Sequence, residues 1–268
     1  MRKTLSLLTL AIGVAFGSQA QAHDRLVHVD HQCSFSTDYD VRVDAAGVAF
    51  SRDDGSPTKV FMHDGQLRVD GRAVDVSAAD AVRLRDYERS VRALLPEVAG
   101  IAREGLDIGF SALTAVATTF AEDGDERSRL LARLNRDHAK ALSRIDAGLG
   151  SGVWTQHDLG DTIGDSVEGA VSELVSTVTA GAVKAALSGD QARIAALEAR
   201  ADSLDKTIDK EVDARADQLE VRAQALCPKL AALDQLQQQL DFRLPNGAAL
   251  QLIGREHDEV DKDKVAAR

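Results

Sequence analysis

From Leu26 to Val76 apolar and polar residues alternate with a period of two, in runs such as Val41-Arg42-Val43, Val48-Ala49-Phe50, Val60-Phe61-Met62, Leu67-Arg68-Val69 and Ala73-Val74-Asp75-Val76. Successive side chains of a strand point to opposite faces, so this pattern predicts short strands with one covered face. Turn signals separate the runs: Ala46-Gly47, Asp53 to Pro57, His63-Asp64-Gly65 and Asp70-Gly71. Asp64-Gly65 and Asp70-Gly71 read as the tightest hairpins, because glycine accepts the positive φ that two-residue turns need. The segment is therefore expected to form an antiparallel meander.

At Ser77 the period changes. Ser77 followed by Asp80 is a capping-box variant, in which hydroxyl and carboxylate would satisfy the free amides of a helix start. Leu84, Tyr87, Val91, Leu94, Val98 and Ile101 then recur at intervals of three and four, the spacing of one helix face. Pro96 is expected to kink this helix or to start another. A second stripe runs Leu106, Phe110, Leu113, Ala117, Phe120, ending at the acidic segment Glu122 to Glu126, and a third runs Leu131, Leu134, His138, Ala141, Ile145. Ala147 to Asp161 reads as a Gly-rich interhelical loop carrying Trp154, the single tryptophan, together with His157, Asp158 and Asp161.

A fourth stripe, from Ile163 to Ala185, stops at Ser188-Gly189-Asp190. The longest run follows: Ile194, Leu197, Ala201, Leu204, Ile208, Val212, Ala216, Leu219, Ala223, Leu226, Leu230, Leu233. Its spacing is heptad-like, with one stutter between Ile208 and Ala216 where two steps of four follow each other. Pro228 is expected to bend it near Cys227. Leu240 to Leu252 returns to strand-like alternation around Pro245-Asn246-Gly247.

These patterns predict an α+β fold, mostly helical: a small antiparallel β unit, built from the N-terminal meander plus C-terminal strands, with a long helical hairpin or bundle as an excursion. The expected segments are a leader at 1–22, the β unit at 23–76, a helical region at 77–240 with the heptad-like helix at 190–226, returning strands at 241–253, and a charged, disordered tail at 254–268.

The leader is read from Arg2 and Lys3, an uncharged apolar run from Leu5 to Phe16, and the small-residue pattern Ala20-Gln21-Ala22, which places cleavage between Ala22 and His23. At about 12 residues the run is short of the roughly 20 that span a bilayer. No stretch of the mature chain reads as a membrane span, so the expected location is the periplasm. Two cysteines remain in the exported chain, Cys33 and Cys227, and in an oxidising compartment a pair of thiols is expected to be joined. Such a bridge would close a loop of about 195 residues, for which the chain-entropy model gives about 5 kcal/mol. Neither cysteine has the close second cysteine of a redox motif.

Net charge is −11, and loss of the leader's two cations takes it to −13, which disfavours nucleic acid as a partner. Aromatics make up 4% of the chain, too few for the aromatic-lined pockets that small-molecule enzymes favour. His23, His28 and His31 cluster at the mature terminus, where a free amine and imidazoles suit copper(II), yet positions i and i+3 of an extended strand face opposite ways, and a frayed polar end is the favoured account of them. His138 lies on an apolar stripe and reads as a hydrogen-bonded core histidine. Ser151 lacks the flanking glycines of a hydrolase elbow. No catalytic constellation emerges, and the balance tilts against an enzyme without closing that class.

His31-Gln32-Cys33-Ser34, the Asp64-Gly65 turn leading into VDGRAVDVSAADAVRLRDYERSVRALLP, and the late ALCPKL segment together resemble the YggN-type family of bacterial periplasmic proteins, a family without an assigned function. The resemblance implies a periplasmic location, a paired-cysteine frame and a β-plus-helical build, and offers no catalytic residues to carry over. The acidic tail after Gly254 and the residues between His23 and His31 depart from that pattern. The expected function is a soluble, non-enzymatic binding or scaffolding protein of the cell envelope that uses its helical surface toward another envelope protein. The rival expectation is a copper-binding protein or enzyme using the N-terminal histidines. The chain's oligomeric state is left open by its pattern.

Overall fold

A computed structural model describes residues 35–255 apart from 122, 190 and 245; within the helices, the side chains of residues 156–166, 188, 193, 209 and 211 are not described. The leader, the expected strand at Leu26 to Val29, and residues 256–268 thus lie outside the described residues. The meander is present. Strands β1 (Phe35–Ser36), β2 (Asp40–Asp44), β3 (Gly47–Ser51), β4 (Lys59–His63), β5 (Gln66–Val69) and β6 (Arg72–Val74) precede the first helix. Antiparallel pairing gives a sheet ordered β6-β5-β4-β3-β2. Opposed pairs Val48↔Met62 and Phe50↔Val60, then Met62↔Leu67 and Val60↔Val69, put one apolar face inward, and all six residues are buried.

Both predicted Asp-Gly turns form, with φ of 47° and 79° at Asp64 and Gly65 and of 48° and 80° at Asp70 and Gly71. These are the positive angles of a hairpin turn whose twist matches its strands. Gly65 has a second reason: a Cβ there would lie 2.6 Å from the Ala81 carbonyl oxygen, so the turn closes directly onto the following helix.

Helix α1 (Ala78–Phe120) is 43 residues long and runs unbroken through Pro96. The expected new helix does not begin there because Pro96 is exposed, so the carbonyl deprived of its partner is on the side open to water, while Leu94, Leu95 and Ala99 around it are buried. Ser77 caps the helix by accepting from the Asp80 amide at 3.0 Å. The Asp80 carboxylate departs from the expected capping box: it accepts from Arg83 at 2.8 Å and from the backbone amide of Asp241 at 3.1 Å, binding the chain where it returns from the helices.

Two apolar clusters share α1. Leu84, Tyr87, Val91 and Leu94 pack with the sheet and the returning chain, whereas Leu95, Ala99, Leu106, Phe110 and Ala117 pack with the helices that follow. Helix α2 (Gly124–Ala147) returns along α1 and buries Leu130, Leu134, Ala141 and Ile145.

After α2 the chain departs from expectation. Val153–Trp154 forms strand β7, which pairs with β2 through Val41↔Trp154 and Arg42↔Val153, so Trp154 closes the edge of the sheet instead of tipping a loop. Gly152, at φ 88°, accepts from the Val43 amide at 2.7 Å and makes that approach possible. Helix α3 (Gln156–Ser188) starts at once, placing His157, Asp158 and Asp161 inside a helix. Gly189, at φ 65°, ends it as predicted.

The heptad-like run becomes α4 (Gln191–Thr207), a π-helical segment (Ile208–Asp213) and α5 (Ala214–Gln224). The π segment falls on the predicted stutter: a wider turn absorbs the extra residue and keeps the stripe on α1. Ile194, Leu197, Leu204, Ile208, Val212, Ala216 and Leu219 are all half-buried, and no residue of α5 is fully buried. A one-sided helix pair covers its stripe only partly. Glu104 and Arg215, 2.8 Å apart, tie this leg to α1. Pro228 does not bend the helix. It occupies the first turn of a separate helix, α6 (Cys227–Gln238), where a missing N–H costs nothing.

The expected strands at 241–253 are replaced by an irregular return. Its apolar residues Leu244, Leu250, Leu252 and Ile253 are buried, as the alternation predicted, but the ladder is supplied by a side chain. The buried Gln237 amide accepts from the backbone amides of Leu252 and Ile253 at 2.9 and 3.2 Å and donates to the Ile253 carbonyl and to Asp234. Only Gly254–Arg255, the first two residues of the expected tail, form a strand, β8, which pairs with β1.

Gln237→Leu leaves two buried amides without acceptors and is expected to cost about 2 to 4 kcal/mol in denaturant unfolding. Gln235→Leu, on the exposed side of the same helix, is expected to stay within about 0.5 kcal/mol. Equal effects of the two substitutions would refute this role for Gln237.

Candidate functional site

Most of the residues singled out from sequence fall outside the described span. Ala22, His23, His28, His31 and Cys33 lie outside the described residues. Cys227 opens α6, and no cysteine among the described residues is free. His138 does face α1 as expected, with Nε2 2.7 Å from an Asp107 carboxylate oxygen and its ring 5.0 Å from that of Phe110. Ser111 on the next turn of α1 spends its hydroxyl on the Asp107 carbonyl, so the His138–Asp107 pair joins two helices without a nucleophile presented to it. The indole nitrogen of Trp154 is buried without a partner among the described residues. No group of three or more His, Cys, Asp or Glu with metal-binding geometry occurs among the described residues.

Two buried carboxylates govern the base: Glu88, which the sequence did not single out, and Asp80, which it offered only as half of a capping box. Glu88 accepts from the Asp64 amide at 2.9 Å and from Arg92 at 2.7 and 3.0 Å, with His63 Nδ1 at 3.4 Å; Arg92 in turn donates to the Asp44 carbonyl. One helical residue thereby fixes the β4–β5 turn, and its neighbour fixes the end of β2. Burial pushes the Glu88 carboxyl up, but Arg92, the Asp64 amide and His63 together outweigh it and hold the pKa below the ordinary value. Asp80 follows the same logic: burial pushes it up, while the Asp241 amide, Arg83 and Ser77 bring it below the usual range. Burial raises Tyr87, with Asp234 adding to the effect. The two carboxylates are fully engaged in holding elements together.

A groove between α2 and α3, lined by Leu130, Leu134, Ala170 and Leu174 with the Arg133–Glu173 ion pair at 2.7 Å beside it, has room for about one water molecule. An organic substrate does not fit there. The unusual surface is the outer side of α3. Only Ala170, Leu174 and Ala185 of its described side chains are buried, whereas Val171, Val175, Val183 and Leu187 are 38%, 58%, 51% and 83% exposed. Within Gly169 to Ser188 only Glu173 and Lys184 are charged. At 100° per residue both fall on the side of the helix opposite Val171, Val175, Val178, Ala182 and Ala186. An uncharged stripe thus faces outward in a chain of which 28% is charged.

By length and composition Val167–Leu187 also meets the threshold for a membrane-crossing helix, with 17% of its apolar window buried, against the expectation that no stretch of the mature chain reads as a span. Register carries part of it past the rest of the bundle. Counting from Arg133–Glu173, the first residue of α2 faces about residue 182 of α3. Counting from Glu104–Arg215, the end of α1 faces about residue 199 of α4. The α3–α4 turn therefore stands about 12 Å beyond the α1–α2 turn.

Comparison with protein-family models matches residues 33–253 to a protein of unknown function (DUF2884). Neither the curated proteins nor the solved structures contain a match. The matched span takes in the sheet, all the helices and the return.

Because Glu88 and Asp80 have folded-state pKa values below their unfolded ones, their stabilisation is complete above about pH 4.3 and 3.9 respectively and is lost as pH falls through the folded values. The urea midpoint is therefore expected to drop as pH is lowered past about 4. Glu88→Gln is expected to lower the midpoint at pH 7 and to flatten that acid slope. An acid slope equal to that of the parent chain would refute the assignment.

Proposed function

The chain belongs to the DUF2884 family, and on that premise we propose that it is a non-enzymatic binding or scaffolding protein of the bacterial periplasm that works through its helical surface. The observation that carries this reading is the outward stripe of α3. Monomeric proteins rarely keep a contiguous apolar patch in water without a use for it, and here the patch is on a helix held clear of the base. The polar clusters support the reading from the other side, since each buried carboxylate is consumed in tying turns and helix ends together. Export with cleavage before His23, a Cys33–Cys227 bridge, and the finer YggN-type assignment within this family belong to the same proposal. The leader pattern, the absence of a free cysteine among the described residues and the sequence resemblance support them.

The bridge would fasten the segment entering the sheet to the start of α6, the helix that leads the chain back to it. Its role is then mechanical, closing the helical layer at its root.

Affinity capture from periplasmic extract, with the intact mature chain compared with Val171→Glu and Val175→Glu, two exposed positions of the stripe, tests the reading. One or more envelope proteins are expected to be captured by the parent chain and lost with both variants. An identical set of captured proteins for all three chains would reject the helical surface as the binding element. Intact-mass analysis of material recovered from the envelope is expected to show a start at His23 and no alkylatable thiol before reduction, with two after it. A retained leader, or two thiols without reductant, would reject the export-and-bridge frame.

A further inference from the structure

We infer that the outward flank of α2 is a docking surface for an acidic segment of another protein, held by a straight row of cations. The inference rests on the reading of the helical layer as an interaction surface, and it adds a second face and the charge of the partner.

Helix α2 carries six cations and four acids in a chain whose net charge is −11. Arg129, Arg133, Arg136, Lys140 and Arg144 follow at steps of four, three, four and four, clear of the buried Leu130, Leu134, Ala141 and Ile145. At 100° per residue all five lie within an arc of about 80°, and between Arg129 and Arg144 no carboxylate falls inside it. The positions along its outer margin, Ser128, Ala132, Ala139 and Ser143, are exposed, small and uncharged, so nothing stands above the cations. Arg133 is held by Glu173 of α3 at 2.7 Å, and Arg144 also has a partner. Arg129, Arg136 and Lys140 are exposed and make no ion pair among the described residues. Like charges three or four apart weaken a helix, so the row acts against the isolated chain and is relieved by an anionic partner.

The shape of the row selects the occupant. It is about 22 Å long and one side chain wide. Asp137 borders it toward α3, Glu173 lies beyond, and Asp125 and Glu126 stand at its tip end. An anionic bilayer or a nucleic-acid duplex is broad enough to bring its own charge within the Debye length, about 8 Å, of those carboxylates. The row also offers a bilayer no large apolar side chain to bury. A single acidic segment lying along α2, with carboxylates about 6 Å apart, meets the cations alone. Exposed ion pairs are individually weak, so binding draws on several of them and falls steeply with salt.

Anisotropy of fluorescently labelled poly-L-glutamate of about 20 residues, titrated with the mature chain from about 1 to about 200 µM, tests this. Binding is expected at about 0.05 M salt and is expected to weaken at least about tenfold by about 0.5 M. Arg136→Glu and Lys140→Glu are each expected to weaken it about three- to tenfold and together to abolish it, while Arg136→Lys retains it. Arg200→Glu, the same charge change at an exposed arginine of α4, is expected to leave it within about twofold. No binding at low salt overturns the inference, as does a loss with Arg200→Glu equal to that with Arg136→Glu. Phosphatidylglycerol vesicles are expected not to take the protein up at about 0.15 M salt, and uptake that Arg136→Glu abolishes overturns the acidic segment in favour of a lipid surface. If polyglutamate does not bind while Val171→Glu and Val175→Glu still lose captured envelope proteins, the acidic partner is wrong and the helical surface stands. If capture is unchanged as well, both fall.

Discussion

One helix has to satisfy two cores. Within α1 the adjacent residues Leu94 and Leu95 belong to different apolar clusters, the first to the sheet and the return, the second to the helical layer. Neighbours in a helix point about 100° apart, so the burial side turns as the chain passes from base to arm. Val43, Val98 and Trp154 touch both clusters at this point and make them continuous. Everything else is arranged around that spine: the sheet and α6 at its start, α2 and α3 along its second half, and the α4–α5 leg beside it.

The polar groups serve the same division. At the base, Glu88, Arg92, Asp80 and Gln237 hold backbone amides and carbonyls from turns and from the irregular return, and Glu88, Asp80 and Gln237 are buried, where a hydrogen bond counts for more. Along the arm, Glu104–Arg215 and Arg133–Glu173 are partly exposed pairs of the kind that contribute little individually. Cohesion is concentrated where the sheet is, and it thins toward the α3–α4 turn. Such a gradient suits a protein that keeps a rigid base and presents helices.

Much of the fold was legible in the sequence because its signals are local. The Asp64-Gly65 and Asp70-Gly71 turns, the Ser77 cap, the Gly189 stop and even the stutter before Ala216 each depend on residues close in the chain. What escaped depended on partners far away. Asp80 looked like half of a capping box, but its carboxylate answers to an amide 161 residues on. The return looked like strands because its apolar residues alternate and are buried, and nothing local says that a glutamine from α6 stands in for a neighbouring strand. Trp154 read as a loop residue because pairing with β2 is a long-range event. The α3 stripe was visible in principle: Val171, Val175 and Val178 lie beside the buried row of Ala170 and Leu174, which makes the helix apolar on more than one side. Counting a single stripe concealed it.

The bond between Asp80 and the Asp241 amide puts the two roots of the helical layer side by side. Topologically the layer is an insertion between neighbouring points of a small scaffold, and closure at the root does not depend on how far the arm reaches. Matched changes in outbound and inbound helical turns would leave that closure untouched, so the arm's reach and the scaffold are structurally separable.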